Sequence, residues 1–426
     1  MEVKYYVCNH CGNIIEMVKD KGVPVICCGE AMHELKAGVT DAAVEKHVPV
    51  YTVDKQHVHV VVGKTKHPML EEHFIEWITL NTNQGIYRKQ LNPGQEPVAD
   101  FCLCDGEQVE EVYAYCNLHG LWKEMLSIDI IGLAGACSYA LDCIEAELVN
   151  IKNKHGKRVA YISIRMAEYW KIQGDELQDL AMCALLHDNA LTQYISEELK
   201  KDSVIDLKKD LSEEKTNLHC IYGEKNITKL PFKTDVSNVI LYHHEHADGT
   251  GPFQKKWNEI PLFARIIHLA DIIDIIRNSI DSDDNSWDFM CQYLSKNKDS
   301  LFDSECVNAF LHVFTKESFM CLSDDSFETK LWEAIPREKL VFDWEMCKDV
   351  ADFFAKIVDY KSSFTSRHSM GVAEKASMLA QYMGYDSITV QKMYLAGALH
   401  DIGKMAVGNE ILEKPDKLTA NDTIRM

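Results

Sequence analysis

The 426-residue chain has no apolar run approaching the ~18–20 residues that cross a bilayer, so no membrane span is expected. Its opening residues, Met1 to Cys8, lack the long apolar core of a secretion signal, and a cytoplasmic location is expected. An excess of basic charge is missing as well. With 45 Lys and Arg against 66 Asp and Glu, the net charge of −21 argues against a general DNA or RNA binder. It leaves room for a small phosphorylated ligand, because bound metal ions reverse the local field. The cysteine pattern of a disulfide scaffold is also absent. Of the 15 cysteines, four crowd near the N-terminus and others are scattered through helical sequence; these read as metal-binding groups and buried small hydrophobes respectively. What remains is a globular composition, 46% hydrophobic and 26% charged, in a chain long enough for two to four domains.

Texture divides the chain. Residues 1–36 are short, glycine-punctuated and cysteine-rich, too small to bury a core without a staple. Residues 37–124 carry β-rich runs at His47–Val53, Val58–Val62, Phe74–Leu80, Ile86–Leu91 and Val109–Cys116, separated by turn signals such as Asn92-Pro93-Gly94. These runs predict a small antiparallel sandwich. From about residue 125 the period becomes helical, as at Ile128–Val149, Arg158–Ile172, Leu177–Leu186, Ile260–Arg277 and Val350–Tyr360. The polar stretch Asp281–Lys298 reads as an insertion or loop. Arg367–Tyr382 and Val390–Leu399 repeat the texture of Arg158–Ile172 and Leu177–Leu186, and both pairs lead into Leu-His-Asp, an internal duplication signal. Five segments are therefore expected: 1–36, 37–124, a helical linker at 125–150, a helical domain at 151–345, and a second, incomplete copy at 346–426. The sequence stops soon after the second His-Asp, as a fragment of a longer protein would.

Two donor sets lie in the first part. Cys8, Cys11, Cys27 and Cys28 can surround one tetrahedral ion, with Gly12 and Gly29 allowing tight turns; the chemistry leaves zinc and iron open. His47, His67, His73, Cys116 and His119 combine borderline imidazole donors with one soft thiolate. On a six-coordinate iron they would leave one position open for a small oxidant. His10, His33, His57 and His59 read as surface or packing residues.

The flanking phrases resemble a known family. Cys8-x-x-Cys11-Gly-Asn-Ile-Ile-Glu followed by Val-Ile-Cys27-Cys28-Gly-Glu is similar to the desulforedoxin-type module of desulfoferrodoxins, the two-iron superoxide reductases. Glu45-Lys46-His47-Val-Pro, His67-Pro-Met, Glu72-His73-Phe-Ile-Glu-Trp and Cys116-Asn-Leu-His119-Gly resemble the family's iron domain, in the same order. The resemblance implies a rubredoxin-like Fe(Cys)4 centre at Cys8, Cys11, Cys27 and Cys28. It implies a second iron with His47, His67, His73 and His119 equatorial and Cys116 axial, and superoxide opposite Cys116. Glu45 and Lys46 match the charged pair beside the open position, where the lysine attracts the anion. A small electron donor such as rubredoxin and a homodimer are implied in the same way.

The helical part carries a second constellation: His155-Gly-Lys-Arg-Val, Leu-His187-Asp188, His219-x-x-x-Gly223, His243-His244-Glu245-x-x-Asp248-Gly249-x-Gly251 and Arg265-Ile-Ile-x-x-Ala-Asp271. Histidines and aspartates spread over several helices suit a di-metal site that clamps a phosphodiester. The phrases resemble the HD-GYP branch of the HD phosphohydrolases, which implies an all-α region, cyclic di-GMP as substrate, and His155, His187, Asp188, His219, His243, His244 and Asp271 as ligands of iron or manganese. Two departures stand out. The family's His-Asp-x-Gly-Lys lysine is replaced by Leu191, and the Gly-Tyr-Pro element is broken, Gly251 running directly into Pro252. The second copy keeps its lysine in His400-Asp401-Ile-Gly-Lys404 and has His368, but offers only three of the donors. The expected activity is superoxide reduction coupled to an HD-type region. The alternatives are a redox-gated cyclic di-GMP phosphodiesterase and a non-catalytic nucleotide-binding regulator. Ile128–Val149 stands between the two halves as either a lever or a spacer.

Overall fold

The computed structural model describes residues 3–38, 44–149, 154–197, 213–279, 285–336, 340–360, 368–383, 385, 387–407, 411, 417 and 419. The chain divides into two compact units, Met1–Leu126 with Ser377–Lys392 and Ser127–Ala376 with Met393–Met426.

In the first unit every strand pairing is antiparallel. Strands β1 (Lys4–Val7), β2 (Ile14–Met17) and β5 (His33–Glu34) form one sheet in the order β2-β1-β5, while β3 (Ile26–Cys27) and β4 (Glu30–Ala31) make a small hairpin. A short helix α1 (Val44–His47) then leads into β6 (Pro49–Asp54), β7 (His57–Val62), β8 (Ile75–Thr82), β9 (Ile86–Gln90), β10 (Val98–Cys102), β11 (Val109–Cys116) and β12 (Gly120–Lys123). These build two sheets, β10-β7-β6 and β12-β11-β8-β9. The expected run from His47 starts two residues later, because His47 ends a helix instead of opening a strand. Strand β10 went unread in the sequence.

Side-chain alternation explains where the core sits. On β7 the inward series is Val58, Val60 and Val62; on β11 it is Val112, Ala114 and Cys116. The Cys116 thiol is thus the last member of an apolar row. The opposite face of β8 and β11 presents Trp77 and Tyr113, which pack with Val3, Tyr5 and Leu121. Between Tyr115, which opposes Trp77, and Cys116, which opposes Ile75, the register slips by one residue. Such a bulge re-aims side chains where a regular ladder would bury them uniformly. Here the unmatched residue is Glu76, so Ile75 joins Ile78 and Leu80 on the core face while Trp77 packs on the other face and stacks on Tyr115 with centroids 5.2 Å apart.

The second unit is helical. Its first helices are α2 (Ile130–Val149), α3 (His155–Ala167), α4 (Gly174–Leu185), α5 (Leu191–Glu197), α6 (Glu213–Ile227) and α7 (Leu262–Ser279); His155 opens α3, His219 lies on α6 and Asp271 on α7, while His187-Asp188 and His243-His244 lie in turns. Eleven residues of α3 are buried, which makes it the axis on which α2, α4 and α7 pack. The stretch expected to be a loop contains instead α8 (Ser286–Lys296), whose buried Met290 and Leu294, four residues apart, anchor an otherwise polar helix. Residues 280–284 lie outside the described residues. Farther along come α9 (Ser304–Val313), α10 (Lys316–Met320), α11 (Ser326–Ala334), α12 (Trp344–Asp359), α13 (His368–Tyr382) and α14 (Ser387–Leu399). Small residues Ala351, Ala355, Ala373 and Ala398 bring α12, α13 and α14 together around Tyr394. No described helix is long and apolar enough to cross a membrane.

Candidate metal centres

The four N-terminal cysteines come together from two turns. After β1 the chain folds back so that Gly12 N–H donates to Cys8 O at 2.8 Å, and Cys28 and Gly29 adopt left-handed backbone between β3 and β4. The Cys11 and Cys27 sulfurs stand 3.6 Å apart and those of Cys27 and Cys28 4.0 Å, far beyond the ~2.05 Å of a disulfide. All four lie within 4.8 Å of one another. Backbone N–H groups of Cys11 and His10 bring the Cys8 thiol down to about 7, whereas the Cys11 and Cys27 sulfurs push Cys28 up to about 12. Four thiols at this spacing cannot ionise together unless a cation compensates them, so the donor set fits a metal ion.

The second group forms a square. His47 ends α1, His67 and His73 lie on the β7–β8 connection, and Cys116 and His119 flank the β11–β12 turn. Neighbouring rings meet edge to face: His47–His67 at 4.6 Å, His67–His73 at 4.6 Å, His73–His119 at 4.8 Å and His119–His47 at 4.7 Å. The His47–His73 diagonal is longer, at 5.9 Å. His67 donates its Nδ1–H to Pro68 O at 2.5 Å and so turns Nε2 inward. His119 enters by the other nitrogen, its Nδ1 standing 2.9 Å from His47 Nε2 and 3.6 Å from Cys116 Sγ. The nitrogens His67 Nε2 and His73 Nε2 are buried without a hydrogen-bond partner. A buried imidazole nitrogen without a partner is costly unless something binds it, and two of them in a square of four imidazoles beside a thiol fit a metal ion. Burial lowers His67 to about 4 and lowers His73 as well, which keeps both lone pairs available at neutral pH.

Local packing fixes this square. Asn117 accepts from Phe74 N–H at 2.9 Å and donates to Glu72 O at 3.0 Å, tying the His73 segment to the Cys116–His119 turn. Trp122 donates to His119 O at 3.0 Å and stacks on His47 at 4.8 Å. Gly63 holds φ +86°, and a Cβ there would lie 2.5 Å from Lys46 O and 2.4 Å from Thr65 O, so only glycine lets the backbone close behind α1. Lys46 is exposed, and its charge is among the influences that disfavour protonation of His73. The Glu45 side chain lies outside the described residues. His57 and His59 sit beside Asp100 at 3.3 and 2.7 Å on the exposed face of β7, away from the square.

In the helical unit the seven expected donors meet around Asp188. Its Oδ1 stands 3.4 Å from His219 Nε2 and 3.6 Å from His243 Nε2, and its Oδ2 3.5 Å from His187 Nε2. His155 Nε2 is 3.2 Å from Asp271 Oδ1, whose partner oxygen lies 4.0 Å from His244 Nδ1. Backbone carbonyls orient the rings: His187 Nδ1 donates to Ala184 O at 2.9 Å and His243 Nδ1 to Ile240 O at 2.6 Å. Their Nε2 atoms are then buried without hydrogen-bond partners, which again fits bound metal. Burial works against the Asp188 charge, but the histidines at 187, 219 and 243 more than offset it and hold the carboxyl well below its usual range.

Several residues in this centre escaped the sequence reading. Asp274 accepts from His155 Nδ1 at 2.8 Å and from Arg158 Nε at 2.6 Å, orienting the ring from behind. Its spacing, three residues after Asp271 on one helix, was the available signal. Cys220, beside His219 on α6, brings its sulfur within 3.5 Å of His219 Nε2. His268 donates to His243 O at 3.0 Å. Leu191 opens α5, where the resemblance expected a lysine. The interrupted glycine-rich element is held by Glu245, which accepts from Phe253 and Lys255 N–H at 2.5 Å. In the second copy His400 Nε2 and His368 Nε2 stand 3.2 and 3.8 Å from Asp401 Oδ2, and Lys404 pairs with the same oxygen at 2.6 Å. These three donors form the whole cluster among the described residues.

Comparison with known proteins agrees with both halves. The desulfoferrodoxin family model matches residues 39–125, and HD domain models match residues 143–306 and 365–425. Desulfoferrodoxin of Nitratidesulfovibrio vulgaris is 45% identical over 124 residues, 29% of this chain and 95% of the relative. The 3'3'-cGAMP-specific phosphodiesterase 1 of Vibrio cholerae is 27% identical over 303 residues, 66% of this chain and 65% of the relative. The crystal structure of a cyclic GMP-AMP specific phosphodiesterase from V. cholerae aligns with a TM-score of 0.54 at 25% identity, over 69% of this chain and 75% of that one. Through its N-terminal β-rich part this chain belongs to the desulfoferrodoxin family, and that part is fused to an HD-domain region related to the cGAMP phosphodiesterases.

Proposed function

We propose that the N-terminal part is a superoxide reductase: superoxide takes up one electron and two protons and leaves as hydrogen peroxide. The observation that carries this reading is the square of His47, His67, His73 and His119 closed on one side by the Cys116 thiol. Iron held by these five residues would supply the electron, with the Cys116 thiolate as its electron-rich donor. The chain supplies the rest. Backbone N–H groups of His119 and Leu118 favour the anionic form of Cys116 against the burial that raises it. The rings are locked by Pro68 O, Asn117 and Trp122, so their geometry costs nothing when superoxide arrives. Lys46, exposed next to the first ligand, draws the anion in. The Cys8, Cys11, Cys27 and Cys28 set would hold a second iron fed by a small electron-donor protein.

The test is stoichiometric superoxide consumption by iron-loaded chain, yielding peroxide without dioxygen. Lys46→Ala is expected to slow the bimolecular step ~10-fold or more, with a flatter dependence on ionic strength. Iron-loaded protein that leaves superoxide unconsumed would overturn the assignment.

A second activity is favoured by the donors that meet around Asp188 and by the cyclic GMP-AMP specificity of the Vibrio cholerae relative. We infer that the helical region hydrolyses a 3'3'-linked cyclic dinucleotide, cyclic GMP-AMP ahead of the cyclic di-GMP expected from motif resemblance alone. Bound metal ions supply a hydroxide and neutralise the phosphodiester. Turnover of either nucleotide that disappears in Asp188→Asn supports this reading. Nucleotide binding without turnover would make the region a regulator.

A further inference from the structure

We propose that Cys220 is a thiolate ligand in the helical region's metal centre, making one of its positions a mixed imidazole–thiolate site that takes a thiophilic ion. Ferrous iron, zinc or cobalt would enter there in preference to manganese or magnesium. The inference rests on reading this region as a metal site and adds a donor that no HD motif supplies.

Cys220 is fully buried on α6, one residue beyond His219. Its sulfur and one nitrogen from each of His219, His243 and His244 lie within 4.8 Å of one another. A second observation points to a ligand at the same place. His243 is fully buried, its Nδ1 is spent on Ile240 O, and its Nε2 has no hydrogen-bond partner, Asp188 Oδ1 standing 3.6 Å away.

The spacing is that of donors sharing one ion. With metal–nitrogen bonds of ~2.0 Å and metal–sulfur bonds of ~2.3 Å, a tetrahedral ion places two nitrogens ~3.3 Å apart and nitrogen and sulfur ~3.5 Å apart. His219 Nε2 and His244 Nε2 are separated by 3.2 Å, and His219 Nε2 and Cys220 Sγ by 3.5 Å. A buried cysteine is often only a small hydrophobe, but then aliphatic neighbours, not converging imidazole nitrogens, would surround the sulfur.

The remaining donors form a different group. His155, His187 and Asp188 also lie within 4.8 Å of one another, and they include no sulfur. Asp188 faces both groups, with Oδ1 toward His219 and His243 and Oδ2 toward His187. The centre therefore has a soft position beside Cys220 and a harder one beside His155, bridged by one carboxylate. Metals sort between such positions by donor softness.

The test uses the full chain, stripped of metal and titrated with cobalt(II), compared with Cys220→Ser. The other cysteines are common to both proteins and cancel in the difference spectrum. Expected is a thiolate-to-cobalt charge-transfer band in the difference that saturates at one cobalt. Zinc should erase it and equimolar manganese should not, and Cys220→Ser should bind that cobalt at least ~10-fold more weakly. In case Cys220→Ser fails to fold, as read by far-UV circular dichroism, Cys220→Asp keeps an anionic donor. It should bind cobalt without the band and shift the zinc-over-manganese preference ~10-fold toward manganese. A flat difference spectrum, while Asp188→Asn still costs the chain cobalt, overturns the Cys220 assignment and leaves the metal reading standing. A flat spectrum with no cobalt lost in Asp188→Asn overturns both.

Discussion

Asn117 touches no substrate and donates no metal ligand, yet the square of histidines should depend on it. Its Oδ1 accepts from Phe74 N–H at 2.9 Å and its Nδ2 donates to Glu72 O at 3.0 Å. These two bonds bracket His73 and fasten it to the turn that carries Cys116 and His119. Asn117→Ala removes both, at ~0.5–1.5 kcal/mol each, and leaves the half-buried Phe74 N–H without its acceptor, so the clamp loses about 2–3 kcal/mol. At ~1.4 kcal/mol per factor of ten, the affinity of the five-ligand site for iron should fall ~30–100-fold. Asn117→Asp keeps the acceptor and loses the donor, and should fall roughly half as far on the free-energy scale. Competition with a ferrous chelator, followed by absorption, reads the loss directly. The Cys8, Cys11, Cys27 and Cys28 set is an internal reference, because Asn117 contacts none of its members. Iron held by Asn117→Ala within threefold of wild type would refute the view that this clamp positions His73.

Three further outcomes are expected. Gly63→Ala pays ~1–2 kcal/mol for left-handed backbone and must also move Lys46 O and Thr65 O, so thermal stability and superoxide consumption should both fall; wild-type activity would show that α1 is not held there. Asp274→Ala removes the buried carboxylate that pairs with Arg158 and Arg277 and should destabilise the helical unit by ~3 kcal/mol, with Asp274→Asn costing less, as denaturant melts would show. Asp142 on α2 accepts from Gly156 N–H, and burial raises its carboxyl to about 6. Between its unfolded value of ~4 and 6 the folded chain holds a proton that the unfolded chain has released, so stability falls as pH rises through that window, by up to ~3 kcal/mol. Asp142→Asn removes this dependence, and its melting advantage over metal-free wild type should be larger at about pH 7.5 than at about pH 4.5. An advantage independent of pH would contradict the assignment.

The sequence by itself determined which side chains are candidate metal donors. Metal donors need particular side chains in particular local phrases, and both survive in linear order: Cys8-x-x-Cys11, Glu45-Lys46-His47, Cys116-Asn117-Leu118-His119 and His187-Asp188 could all be read without coordinates. The change from period-two to helical texture near residue 125 was equally legible, because burial of one face writes its period into the chain. Polar composition misled at Ser286–Lys296, where two buried side chains suffice to hold a helix that looked like a loop. Only tertiary structure decided how donors approach one another. The slip opposite Tyr115 and Cys116, at Glu76, brings Ile75 onto the core face beside Cys116, a register effect that no local pattern encodes. His119 presents Nδ1 where His67, its Nδ1 spent on Pro68 O, presents Nε2, a choice of nitrogen that only the folded chain makes. The roles of Asp274, behind His155 from 119 residues away, and of Cys220, brought with its neighbour His219 against His243 and His244, exist only once the chain has packed. Such pairings depend on distance in space, and sequence separation carries no record of it.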